Sequence, residues 1–159
     1  MASASIILPQ KLVVKLRDKA EESDSVPDEL AIEILFKGLG EELDPEDLVE
    51  QYQTLSEKYF NDGKELLKEG DLVKASEKLW GAAALTVKMV AAKRGLKLEQ
   101  HGSMWAFVSE ISREKKDRGI IRLFYSANAL HRNFYENEMT EEMVGIAVED
   151  VEKLITKLT

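Results

Sequence analysis

The chain has 159 residues, with 30 acidic against 22 basic side chains, a formal charge of −8, 44% apolar residues and no cysteine. That length suits one ordinary domain, or a short appendage on a domain of about 110 residues, and the balance of apolar and charged residues is that of amphipathic helices with solvated faces rather than of a disordered chain. Absence of cysteine excludes disulfides, thiolate zinc sites, iron–sulfur clusters and cysteine nucleophiles. With only His101 and His131 as nitrogen ligands, a His-rich zinc site cannot be built from one chain; a carboxylate-assisted or subunit-shared site stays open, and no metal or cofactor is expected. The negative charge excludes nucleic-acid binding over the whole surface, so any such contact needs a local basic patch.

The start, MASASIILPQKLVV, has too short an apolar run and no basic leader for a targeting signal. No later segment reaches the roughly 20 apolar residues of a membrane span, so the expectation is a soluble, cytoplasmic protein without membrane contact.

Pro9, Pro27 and Pro45 are the only prolines. A ring that fixes φ and lacks a donor is tolerated in the first helical turn and disruptive later, so each marks a predicted helix start. The run Ser3 to Leu8 is extended in character, and Leu12, Val13, Leu16 and Ala20 then mark a helical stripe. A second helix is predicted from about Val26, capped by Ser25 or Asp28 and stopped by Gly38 and Gly40. These first 43 residues are too few to be stable alone. Asp44 is the clearest cap, with Pro45 at the first helical position and Glu46 and Asp47 at the positive end of the dipole.

From Asp44 to Gly70, Leu48, Tyr52, Leu55, Tyr59, Leu66 and Leu67 recur at three- and four-residue spacing, predicting one long helix. A second runs from Asp71 to about Gly95 and contains Trp80-Gly81-Ala82-Ala83-Ala84, where small residues permit close helix approach and offset the cost of about 1 kcal/mol for a helical glycine. After a loop from about Leu96 to Gly102, helices are predicted near Ser103 to Lys116, Gly119 to Asn137 and Thr140 to Leu158. The short links near residues 70 and 138 favour antiparallel neighbours. The fold class is therefore all-α, an up-and-down antiparallel bundle of four or five helices over residues 44–159, carrying a strand-helix-helix appendage over residues 1–43.

Two groups of residues could carry chemistry. At about 100° per residue Asn128, His131 and Tyr135 share one face of a helix, with Phe124, Leu130 and Phe134 on another; such a polar stripe suits a cleft, with Lys88 and His101 as further lining. The same pattern also fits a structural histidine bonded to a neighbouring carboxylate while Tyr135 buries its ring. The second group is basic: Lys88, Lys93, Arg94 and Lys97, then Arg113, Lys115, Lys116, Arg118 and Arg122. Cations near a helix C-terminus complement its dipole; if the two groups meet, Arg94, Arg118 and Arg122 would make an anion site for phosphate or an RNA backbone. There is no phosphate loop, dinucleotide fingerprint, nucleophile elbow or H-E-x-x-H, and Glu41-Glu42 and Glu141-Glu142 read as capping and surface residues. No catalytic residue is assigned.

The chain resembles the archaeal PaREP family, grouped with the HEPN domains. The residues that carry the resemblance are Leu8-Pro9, Leu43-Asp44-Pro45-Glu46, Gly70-Asp71-Leu72, Ala75 through Ala84 with its Trp80-Gly81-Ala82 core, His101-Gly102 with Trp105, and Ala127 with Leu130-His131, Asn133 and Phe134-Tyr135-Glu136. The resemblance implies a HEPN-type antiparallel bundle that usually dimerises. HEPN domains include ribonucleases with an R-x4-6-H motif at a dimer interface, and that motif is absent here. The nearest upstream arginine, Arg122, precedes His131 by nine residues, about 900° of turn and about 13.5 Å along the axis. Other HEPN domains are nucleotide- or substrate-binding subunits paired with nucleotidyltransferases. Residues 1–43 also look like a ribbon-helix-helix unit, with Ser3, Ser5 and Ile7 facing outward and Ala4, Ile6 and Leu8 inward; they hold nine acidic and five basic side chains, so dimerisation or docking is expected ahead of DNA reading.

The functional expectation is thus a non-catalytic homodimer that binds a nucleotide, an RNA or a protein partner such as a nucleotidyltransferase, in a cleft lined by Lys88, His101, Asn128, His131 and Tyr135. The rivals are a metal-independent ribonuclease, with His131 as acid or base and Arg122 or Arg132 on the phosphate, and a DNA-binding regulator acting through the N-terminal ribbon.

Overall fold

The computed structural model describes residues 4–98 and 101–159, apart from the side chains at 101 and 102, and every regular element in that range is helical. The helices are α1 (Gln10–Glu22), α2 (Pro27–Gly38), α3 (Pro45–Lys68), α4 (Leu72–Lys93), α5 (His101–Lys115), α6 (Gly119–Glu136) and α7 (Glu141–Leu158). They form two compact units, one reaching to Glu42 and the other running from Leu43 to Thr159. No described helix is long and apolar enough to cross a membrane.

The helix starts follow the capping chemistry. Asp44 accepts from the Asp47 N–H at 2.9 Å, Asp71 from the Lys74 N–H at 3.1 Å and Thr140 from the Met143 N–H at 3.2 Å, each satisfying a donor that the first turn leaves without a carbonyl. Helix α2 departs from expectation: its N-cap is Val26, without a side-chain bond. The Ser25 hydroxyl is instead turned back on the Ser23 carbonyl at 3.4 Å, and Asp28 stands inside the first turn, where it serves the dipole.

The first unit is a helical hairpin of α1 and α2 with a small interior. Ala20 is its one buried apolar residue among those described, while Ile6, Leu12, Ile34 and Leu35 are about half exposed or more. Of the segment predicted as a ribbon strand, Ser3 to Leu8, Ser3 lies outside the described residues and Ala4 to Leu8 forms no strand. An isolated strand has nothing to pair with, and no second one exists in that range. Together with α1 and α2 this segment lines an apolar groove of about 680 Å³.

In the second unit α4 is the centre. Fourteen of its 22 residues are buried, and Gly81 through Met89 are buried without a break, so it meets protein on every face there. Helix α3 runs antiparallel along it, and α6, α7 and α5 cover the rest. Polar atoms at these contacts are paired: Ser56 Oγ lies 2.7 Å from Thr86 Oγ1 and 3.0 Å from the Ala82 carbonyl, and Thr86 Oγ1 lies 2.8 Å from the same carbonyl. Two hydroxyl protons thus serve a buried ring of three oxygens. The core is completed by Met104, Val108 and Ile111 of α5, Ile120, Phe124 and Leu130 of α6, and Val144, Val151 and Leu154 of α7.

Helix α3 packs tightly on α4 at Gly63 as well as along the Gly81 stretch. A Cβ at Gly63 would stand 2.7 Å from Leu79 Cγ and 2.8 Å from its Cδ2, and Leu79 is wholly buried, so it has nowhere to retreat. Gly63→Ala is therefore expected to destabilise the protein by about 1–3 kcal/mol, despite alanine's better helix propensity. Urea unfolding checks this; equal or greater stability of the variant would show that the helices have slack.

Candidate functional site

Helix α6 is amphipathic, with Ile120, Phe124, Ala127, Leu130 and Asn133 buried. Its antiparallel register on α4 is set by the buried Asn133, whose Nδ2 donates to Ser76 Oγ at 2.9 Å while Ser76 donates to the Leu72 carbonyl at 2.7 Å. The Asn133 Oδ1 accepts two backbone donors, Glu138 N–H at 2.8 Å and Met139 N–H at 2.7 Å. One side chain thereby fixes both the α4–α6 contact and the turn into α7, which passes through Asn137 in the left-handed region at φ 48°.

Trp80 lies one turn beyond Ser76 and meets α6 at the polar stripe. Its ring centroid is 4.7 Å from that of His131, with planes 31° apart, and 5.7 Å from that of Phe124. Tyr135 closes on His131 edge-on at 5.6 Å and 87°. His131 and Asn128 are half-buried and Tyr135 is 55% exposed. The result is a shelf: a half-buried imidazole backed by an indole, with a phenol at its edge. Phe124 belongs to this face rather than to the opposite one. Seven residues turn a helix by about 700°, within about 20° of two full turns, so Phe124 underlies His131 and forms the floor through Trp80.

Of the five residues expected to line a cleft, Asn128, His131 and Tyr135 share the α6 face. Lys88 does not join them. It is buried at 5% exposure within α4 and is engaged in the fold, eight residues and about 12 Å beyond Trp80 along the helix, and the antiparallel register carries it toward the start of α6. His101 opens α5, and its side chain lies outside the described residues. The indole that backs the histidine escaped the sequence reading, although Trp80 stood out there as a signature. Asn133 also went without a role; its only signal was a polar residue within the apolar period.

The basic residues separate as well. Arg94 grips Glu114 with both terminal nitrogens, at 2.9 and 2.6 Å, and lies over the Phe107 ring at 5.6 Å. It joins α4 to α5, and its guanidinium holds the Glu114 carboxyl below the usual range. Arg118 and Arg122 are exposed at the start of α6 and make no ion pair among the described residues. Between them and α7, Asp117 accepts from Lys157 Nζ at 2.5 Å and from the Gly119 N–H at 2.9 Å. Among the described residues no three His, Asp or Glu side chains come together as metal ligands.

With this geometry in place, comparison with known proteins finds the archaeal PaREP1/PaREP8 family over residues 51–155. The chain belongs to that family. The match covers most of the second unit, from α3 into α7, and so includes Trp80, Asn133 and the shelf. A crystal structure of a Sulfolobus solfataricus protein is similar to this PaREP chain at a TM-score of 0.59 and 26% identity, covering 65% of this chain and 92% of that one. No curated protein matches.

Two outcomes follow. Asn133→Ala leaves two partly buried N–H groups without their acceptor and the Ser76 oxygen without the amide donor, and is expected to cost about 1–3 kcal/mol; a denaturation midpoint unchanged from wild type would show that water replaces the amide. The Lys157 ammonium, by hydrogen bonding, lowers the Asp117 carboxyl from its ordinary value of 3.8, so its stabilising effect is present above that value and is lost as the pH falls through the lowered folded-state value. Melting temperatures followed through the acid range are expected to fall less steeply in Asp117→Asn than in wild type.

Proposed function

We propose that this PaREP protein is a non-catalytic, dimeric binding module of HEPN type whose second unit takes a nucleotide or a base of RNA on the His131 shelf. The observation that carries this reading is the half-buried imidazole stacked on Trp80 with the exposed Tyr135 at its edge. A planar base extends such a stack, and Asn128 on the same face supplies an amide donor and acceptor. A reaction finds less support, because Arg122 stands about 13.5 Å along the same helix from His131.

Dimerisation is supported by the first unit. Its apolar groove is walled by Ala4, Ile6 and Leu8 on one side and by Leu12, Leu16 and Ile32 from the helices; two-fold pairing of the extended segments would satisfy their backbone and cover the apolar side chains of both copies.

Thermal unfolding against mononucleotides and short RNAs tests the first part. A ligand at a hundredfold excess over Kd stabilises the native state by about 2.7 kcal/mol, so wild type is expected to melt higher with its ligand and His131→Ala is not. Unchanged melting across the panel, or equal shifts in both proteins, overturns the shelf. For the second part, light scattering is expected to show a dimer that Ile6→Asp with Leu8→Asp converts to a monomer. A wild-type monomer, or a variant that stays dimeric, removes the first unit from that role.

A further inference from the structure

The solvent side of α6 differs from the rest of this acidic chain. Arg118, Arg122, Tyr125, Ala129 and Arg132 are all exposed and recur at four- and three-residue spacing, so they form one straight ridge about 21 Å long. The first turn of α6 contains no acidic residue. Arginines at a helix N-terminus oppose its dipole, and Asp117, the nearest carboxylate, is taken by Lys157 and the Gly119 N–H. Arg118, Arg122 and the exposed Lys116 beside them have no ion pair among the described residues. Among the described residues Arg132 meets only Glu138, in an exposed contact at 3.2 Å, which is weak and easily exchanged.

Tyr125 stands in the middle of these cations. It is 61% exposed, yet its ring is supported from α5 by Trp105, with centroids 5.4 Å apart and planes at 44°. Trp105 is in turn fixed edge-on to the buried Phe124 at 4.5 Å. An exposed phenol held from behind by an anchored indole loses little freedom when a flat group settles on it.

From these observations we infer that the α6 ridge binds a single-stranded nucleic acid, with Arg118 and Arg122 on neighbouring phosphates, Arg132 on a phosphate farther along the strand and Tyr125 stacking a base between them. Guanidinium groups spaced along a line match a polyanion. The protruding ring selects a single strand, whose base faces are open, over a duplex, whose faces are covered by stacking. The ridge lies on a different face of α6 from the His131 shelf, and the two assignments fail separately.

Fluorescence anisotropy with labelled oligonucleotides of about ten nucleotides tests this on the full chain: a uridine RNA, a thymidine DNA and a duplex of equal length, over a salt series. The single strands are expected to bind more tightly than the duplex, with affinity falling as salt rises, and preference between the RNA and DNA arms identifies the natural source. Charge reversal by Arg118→Glu with Arg122→Glu is expected to weaken binding at least about tenfold at low salt, and Tyr125→Ala about fivefold or more. All the altered ridge side chains are exposed, so melting curves should match wild type; Arg118→Gln with Arg122→Gln serves if the reversed charges perturb the fold. No binding by wild type, retained affinity in both arginine variants, or duplex binding equal to single-strand binding with Tyr125→Ala unaffected would overturn the assignment, the last revealing plain attraction to any polyanion.

Discussion

The second unit is governed by the need to satisfy α4 on every side at once. A helix with no solvated face from Gly81 to Met89 cannot leave a hydroxyl or amide to water, so each polar group at its contacts needs a specific partner. Ser56 and Thr86 share the Ala82 carbonyl on the α3 side, and Ser76 takes Asn133 on the α6 side. These bonds contribute little net energy compared with the apolar area buried around them. Their effect is on register: a helix lined with alanine could slide by a turn against its neighbours at modest apolar cost, and a misplaced Asn133 or Ser56 would be buried without a partner.

The surface features of α6 inherit that register. With Ser76 and Asn133 aligned, Trp80 comes under His131, and the half-buried imidazole has a rigid backing. A neighbouring face of α6 is turned to solvent, with Tyr125 beside Trp105 of α5. A single helix thus carries a core face, an aromatic shelf and a cationic ridge, each an azimuth of one 18-residue segment. The arginines look alike in composition, but their surroundings divide them. Arg94 is spent on Glu114 as a clamp between α4 and α5, whereas Arg118 and Arg122 keep their charge for solvent or a ligand.

Much of the architecture was legible in the sequence because its signals are local. Caps at Asp44, Asp71 and Thr140 follow from single residues, and the apolar period along α3, α6 and α7 states which face turns inward. What was not legible depends on contacts between distant segments. Nothing in the sequence near Gly63 says that Leu79 lies against it. Placing Phe124 apart from His131 came from reading a short stretch of the helix, whereas seven residues bring the two nearly into line. Lys88 had the residue type of a site, but its position two turns past Trp80 takes it elsewhere along the bundle. The Ala4 to Leu8 run illustrates a further limit, since an extended segment becomes a strand only when another strand is supplied.

Amide hydrogen exchange along the chain addresses the central role of α4 most directly. If the bundle is organised around this helix, the amides from Leu79 to Ala91 exchange slowest of all, through openings whose free energy equals that of global unfolding. Slower exchange in α7 than in α4, or loss of α4 protection through a local opening well below the global value, would contradict the account and place the organising contact elsewhere.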